Sequence, residues 1–291
     1  MELSSACMAC LVRREEEKLR SQSDRKKCAE YMREVLRLIA NSEKEANSPL
    51  IVSELEKLYK TFFGEKFSRE ADKRRFNELM LGMMDSIRRR IESAPDPILC
   101  ALKYARAGNY IDFGATQNVE IRTLEELLAS AESEHIEEIE YKSFLSELDN
   151  ARRMVYITDN CGEVVLDMLL IEQLQKRLPQ LQITALVRGD DAINDVTVED
   201  AEEVGLTGLV SVVGNGTSIA GTQINRISAE ARALLESADL ILAKGQGNFE
   251  TMYFSGLPVY YAFLCKCPQF TRSFGLPVNT GVFKREDRIK I

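Results

Sequence analysis

Histidine is almost missing from this chain: His135 is the only one in 291 residues. That scarcity excludes zinc hydrolases built on several imidazoles, and hydrolases whose nucleophile depends on a histidine base. A catalytic metal, if there is one, has to be held by carboxylate and amide oxygens. Long apolar runs are missing too, none approaching the roughly 20 residues of a membrane span. Met1-Glu2-Leu3-Ser4-Ser5-Ala6-Cys7 lacks the basic segment and apolar stretch of an export signal, so a cytoplasmic location is expected. Seven cysteines, an odd number in a chain without such a signal, read as reduced thiols rather than a disulfide framework. Nor is there a surplus of positive charge. The 38 Lys and Arg against 46 Asp and Glu leave a net charge of −8, which argues against nucleic acid or an anionic membrane as partner.

What remains, 45% hydrophobic and 29% charged, is the composition of a globular protein with one large domain or two modest ones. Residues 1–150 read as helical. Leu11 to Ala46 is charge-rich with apolar residues at helical spacing. Ser48-Pro49 has the form of an N-cap followed by proline, and Phe76 to Ile91 repeats Leu79, Met83 and Ile87 on one face. Asp96-Pro97 opens a further helix that should stop near Gly108, and Thr123-Leu124-Glu125-Glu126 has the form of a capping box. After about 150 the texture changes. Met154–Thr158, Ile183–Val187, Leu209–Val213, Leu240–Ala243 and Val259–Leu264 are short apolar runs separated by helical stretches, the rhythm of βαβ units. The expected architecture is a helical domain over 1–150 and, over 151–291, a doubly wound α/β/α domain with a mostly parallel sheet.

The residues that follow each apolar run carry the chemistry, because ligands of open α/β sheets bind beyond the carboxyl ends of the strands. The first run ends in Thr158-Asp159-Asn160-Cys161-Gly162-Glu163 and the second in Arg188-Gly189-Asp190-Asp191, then Asn194-Asp195. Gly214-Asn215-Gly216-Thr217-Ser218 follows the third, Lys244-Gly245-Gln246-Gly247-Asn248 the fourth, and Lys266 lies between Cys265 and Cys267 after the fifth. Hard oxygen donors (Asp159, Asp195, the amide of Asn160) suit a divalent cation such as Mg²⁺ or Mn²⁺, Asp190 and Asp191 competing with Asp195 for that role. Lys244 and Lys266 would hold phosphate charge, and the glycine-rich turns offer N–H groups to its oxygens. The chemistry that fits is phosphate-ester hydrolysis. Glu163, in the first turn of its helix, either complements the helix dipole or orients a water. Asn194 and Asn248 are candidate substrate contacts, Asn248 with the alternative of capping the next helix.

The ordered set Asp159-Asn160-Cys161-Gly162-Glu163, Asn194-Asp195-Val196-Thr197, Lys244-Gly245-Gln246-Gly247-Asn248-Phe249-Glu250 and Lys266-Cys267-Pro268 resembles the metal-dependent damage-control phosphatases, formerly a domain of unknown function. Gly108-Asn109-Tyr110-Ile111-Asp112 and Cys7-Met8-Ala9-Cys10 resemble its prokaryotic, CxxC-bearing branch. The resemblance covers nearly the whole chain. It implies a helical domain plus an α/β/α domain, and hydrolysis of small phosphorylated metabolites such as sugar phosphates or damaged cofactor precursors. It further implies a divalent ion (Mn²⁺, Mg²⁺, Co²⁺ or Ni²⁺) on Asp159, Asn160 and Asp195, with Lys244 near the phosphate. Two other readings stay open: an S-adenosylmethionine-dependent protein carboxyl methyltransferase, and a non-enzymatic metabolite or metal sensor. Cys7 and Cys10 form half a zinc site that Cys265 and Cys267 would have to complete, or are two thiols one helical turn apart.

Overall fold

A computed structural model of the chain describes residues 1–64, 68–112 and 119–290. Its helices before residue 151 are α1 (Ser5–Lys18), α2 (Arg25–Ala40), α3 (Ser48–Phe63), α4 (Glu70–Ser93), α5 (Pro97–Gly108), α6 (Ile121–Ser130) and α7 (Glu138–Asn150). The rest alternates β1 (Arg153–Ile157), α8 (Glu163–Arg177), β2 (Gln182–Val187), α9 (Val198–Glu203), β3 (Ser211–Gly214), α10 (Ala229–Glu236), β4 (Leu240–Lys244), α11 (Gly245–Met252), β5 (Val259–Cys265), α12 (Pro268–Phe274) and β6 (Thr280–Arg285). Local chemistry explains the boundaries. Asp96 caps α5 by accepting from Leu99 N ahead of Pro97, and Thr197 with Asp200 closes a reciprocal capping box on α9. Asn47, rather than Ser48, caps α3. Thr123 lies inside α6, whose start at Ile121 has no capping side chain. The long charge-rich segment from Leu11 is two helices, α1 and α2, separated by a short 3₁₀ turn and the Asp24 cap.

The sheet runs β3-β2-β1-β4-β5-β6, with β1 to β5 parallel and β6 antiparallel to β5. Alternate residues of each strand point to opposite faces, so one sheet serves two cores. Met154, Tyr156, Leu240, Leu242 and Tyr260 pack with α4, α5, α7 and α8. Val155, Ile157, Ile241, Ala243, Tyr261 and Phe263 pack with α10, α11 and α12. This is a three-layer α/β/α arrangement. The order of strands reverses between β1 and β4, which makes the crevice beyond their carboxyl ends the switch point where ligands bind.

The expected division at residue 150 does not coincide with a boundary of the core. Phe76, Met80, Ile87, Leu102 and Phe144, all before it, share one apolar cluster with the sheet. Only α1 to α3 carry a core of their own, built on Tyr31, Val35, Leu55 and Tyr59. The reason is covering: a parallel sheet must be buried on both faces, and α8 and α9 alone leave much of one face bare, which α4, α5 and α7 cover.

Candidate functional site

At the switch point the chain leaves β1 through Thr158 into the Asp159-Asn160 turn, and α8 begins at Glu163 after Gly162, whose φ of +81° admits the tight entry. The loop after β2 returns beside this turn. Asn160 and Asp195 form an isolated antiparallel bridge, Val196 N donates to Asp159 O at 2.9 Å, and Cys161 N donates to Asn194 O at 2.9 Å. Two acids 36 positions apart are thus fixed by backbone hydrogen bonds on one wall. In this loop Ile193 takes a left-handed backbone, φ +55°, a costly conformation for a β-branched residue. Its side chain lines a cavity of about 390 Å³ together with Asp159, Asn160, Asp195, Asp112 and Glu250. The opposite wall comes from α1 and the start of α3, through Cys7, Cys10, Arg13, Arg14 and Pro49.

The side chains around the acids form a connected network. Asp159 Oδ2 accepts from Asn160 Nδ2 at 2.6 Å and Asn109 Nδ2 at 3.1 Å. Asn160 Nδ2 also donates to Glu163 Oε2 at 2.9 Å, so its amide nitrogen is taken up by carboxylates. The buried guanidinium of Arg188 joins the two acids, Nε to Asp195 Oδ2 at 2.6 Å and Nη2 to Asp159 Oδ1 at 3.4 Å. Its Nη1 has no hydrogen-bond partner. Burial, and then the charges of Asp195, Glu163 and Asp112, push the Asp159 carboxyl well above the usual range. Burial likewise pushes Asp195 up to about 6, against the opposing pull of Arg188. In both acids burial is the largest cause, and it disfavours the charged form.

Gly245 shapes the site from the β4 side. Its φ is +81°, and a Cβ there would lie 1.9 Å from Asp159 Oδ2. The peptide at the start of α11 is in contact with the carboxylate, an approach only glycine permits. Gly247 likewise packs against Ala220 O, so this glycine pair serves close packing.

Several expected site residues stand elsewhere. Lys244 is fully buried, and its Nζ donates to Asp167 Oδ1 at 2.6 Å, Glu163 Oε1 at 2.7 Å and Ala105 O at 2.9 Å. An ammonium has three donors and these contacts take them all, so Lys244 is not available to phosphate and instead holds Glu163. Glu163, also fully buried, accepts from Lys244, Asn109 and Asn160; it orients neighbouring side chains rather than a water in the cavity. Asn248 is fully buried, donating to Thr158 O and Lys244 O and accepting from Thr222 Oγ1. It ties α11 to β1 and β4 away from the cavity. Asn194 Nδ2 is bonded to Ile111 O at 3.2 Å. Lys266 Nζ pairs with Asp112 Oδ2 at 2.6 Å and with Asn109 O; it borders the cavity only through Asp112. Of the competing acids, Asp191 pairs with Lys73, and neither Asp190 nor Asp191 lines the cavity of Asp159.

Sequence reasoning missed Arg188, Asn109, Asp112 and Asp167 as parts of this network. The signals were present: an arginine ending an apolar run, an aspartate inside Val164-Val165-Leu166-Asp167-Met168-Leu169, and the Gly108–Asp112 motif. A charge inside an apolar run must find a buried partner. The placement adds no support to the zinc reading of Cys7 and Cys10. Both line the cavity with Cys267, but among the described residues no three His, Cys, Asp or Glu side chains are grouped to hold a metal. Cys265 is buried in the apolar core beneath α11 and α12 and does not line the cavity.

Fold and site together define a doubly wound α/β protein with a largely apolar cavity at its switch point, into which Asp159, Asn160 and Asp195 are set. A family model described as the damage-control phosphatase ARMT1-like domain matches residues 3–281, and the chain belongs to that family. A damage-control phosphatase of Archaeoglobus fulgidus is 28% identical over 98% of this chain and 99% of its own length. One of Pyrococcus horikoshii is 33% identical over 64% of each chain, and an uncharacterised protein of Methanocaldococcus jannaschii is 30% identical over 72% of this chain and 70% of its own. The crystal structure of a family protein from Pyrococcus horikoshii superposes with a TM-score of 0.85 at 27% identity, covering 98% of this chain and 99% of that one. No helix among the described residues is long and apolar enough to cross a membrane.

Proposed function

We propose that the chain is a divalent-metal-dependent phosphatase that hydrolyses small phosphorylated metabolites. Relatives named damage-control phosphatases support the phosphatase role. One observation supports the metal dependence: Asp159, Asn160 and Asp195 line one cavity, two carboxylates raised in pKa by burial beside an amide whose nitrogen is already taken up. Two carboxylates and a carbonyl oxygen are the donor set of a hard cation that keeps part of its water shell, as Mg²⁺ and Mn²⁺ do. When bound there, such an ion polarises a phosphoryl oxygen and lowers the pKa of water.

The chain's own residues supply the rest. Asn109, Asn160 and Gly245 fix the Asp159 carboxylate from three sides, and Lys244 through Glu163 fixes Asn160. Arg188 restrains both acids and keeps one N–H pair unmatched. Arg13 and Arg14 place positive charge on the opposite wall, where it attracts the anionic part of a substrate. The cavity volume of about 390 Å³ suits a small metabolite rather than a polymer. The test is phosphate release from a panel of sugar phosphates and an aryl phosphate with Mn²⁺, Mg²⁺, Co²⁺ or Ni²⁺ added singly. Turnover that a chelator abolishes and the cation restores supports the reading; no turnover with any ion rejects it, and methyl transfer insensitive to chelator would install the methyltransferase reading instead.

A further inference from the structure

We infer that Glu250 is the general acid of the proposed reaction, donating its proton to the oxygen of the leaving alcohol; the inference rests on the phosphatase reading above. The geometry singles it out among the cavity's carboxyl groups. Asp112 is paired with Lys266, and Asp159 and Asp195 are both engaged by Arg188. Glu2 lies exposed at the rim. Glu250 lines the same cavity, and among the described residues no side chain is hydrogen-bonded to its carboxyl; only its backbone carbonyl accepts, from the Met1 amino group at 2.5 Å.

Position along α11 gives the spacing. Gly245 touches the Asp159 carboxylate, and Glu250 follows five residues later in the same helix, about 7.5 Å along the axis at 1.5 Å per residue. Gln246, one turn before Glu250 on the same face, is anchored to Lys266 N at 2.7 Å. Glu250 and the two acids thus line one cavity from different elements, the acids from the loops after β1 and β2 and Glu250 from α11. Burial raises the Glu250 carboxyl to about 7, the Met1 amino group pulling down and Asp112 pushing up. That leaves a protonated fraction near neutrality, as a general acid requires. The other titratable groups lining the cavity are Cys267 beyond β5 and Cys7, Cys10, Arg13 and Arg14 on α1.

The step balances as follows. The phosphorus–oxygen bond to the alcohol breaks while the Glu250 O–H proton passes to that oxygen, giving the free alcohol. Water adds to phosphorus from the opposite side and yields inorganic phosphate. The Glu250 carboxylate then recovers a proton from solvent.

The test compares leaving groups in Glu250→Gln, which keeps size and loses the acid. With Mn²⁺ present, kcat for a sugar phosphate, whose alkoxide leaves poorly, should fall by about 100-fold or more. For p-nitrophenyl phosphate, whose leaving group needs no proton, kcat should change by less than about 3-fold, and the basic limb of the pH profile near 7 should disappear. Glu250→Asp should recover part of the sugar-phosphate rate, with both variants melting near the parent. Equal losses on the two substrates, or no loss on either, overturn the assignment. A parent protein inactive on every phosphate ester overturns the phosphatase reading itself, and this inference with it.

Discussion

Replacing Lys244 with methionine separates a phosphate-binding lysine from a structural one. The ammonium is fully buried and its three donors meet Asp167, Glu163 and Ala105 O at 2.6 to 2.9 Å. Methionine preserves the volume but leaves two buried carboxylates facing each other without a cation. Breaking a buried ion pair by removing one partner costs about 3–5 kcal/mol, against a total stability of about 5–15 kcal/mol. At about 2–4 °C per kcal/mol for a chain of this size class, the melting temperature of Lys244→Met should fall by roughly 6–20 °C. Thermal and denaturant unfolding of the pair measure this directly. The double variant Lys244→Met, Asp167→Leu should recover part of the loss, because it also removes one of the stranded charges. If Lys244→Met instead melts within a degree or two of the parent while KM for the phosphorylated substrate rises tenfold, the ammonium contacts phosphate and the network described around Glu163 is wrong.

Gly245→Ala should lower metal-dependent kcat by about 100-fold, since the new Cβ must displace the Asp159 carboxylate, and an ångström at a reacting centre has that effect; unchanged turnover would show that Asp159 is not seated on this glycine. The same variant should lose about 1–3 kcal/mol in denaturant unfolding, from the left-handed backbone at φ +81°. Asp167, raised from 3.8 to about 6 chiefly by burial, holds its proton more tightly folded than unfolded. Its contribution to stability is therefore present below about pH 4 and is lost as pH rises through about 6, by up to about 3 kcal/mol. Unfolding free energies at pH 4, 5, 6 and 7 in the presence of chelator should show this fall, and Asp167→Asn should shrink it; an identical slope in the variant would contradict the assignment.

Much of the fold could be read before any coordinates. Five of the six strands announce themselves as apolar runs at βαβ spacing, and their order of appearance implies a doubly wound sheet. Strand β6 escaped notice because Thr280–Arg285 is an edge strand with both faces partly exposed and no long apolar run. The position of the site was legible for the same reason as the strands: Asp159, Asn160 and Asp195 follow apolar runs, and parallel strands deliver such residues to one edge. The partners were not. Lys244 and Asp195 both follow apolar runs in sequence, yet one is enclosed by α5 and α8 and the other lines the cavity. What decides between them is the packing of α5 and α8 over the sheet, and pairwise contacts of that kind leave no periodicity. Which helices share the core of the sheet was not legible either, because helical texture does not tell which helices cover a sheet.

The account stands on Asp159, Asn160 and Asp195 sharing one divalent cation, and Mn²⁺ binding tests that most directly. Titration followed by electron paramagnetic resonance should find about one ion per chain, with binding lost, or weakened at least tenfold, in both Asp159→Asn and Asp195→Asn. Parent-like Mn²⁺ affinity in either folded variant would contradict the shared site and the proposed chemistry built on it.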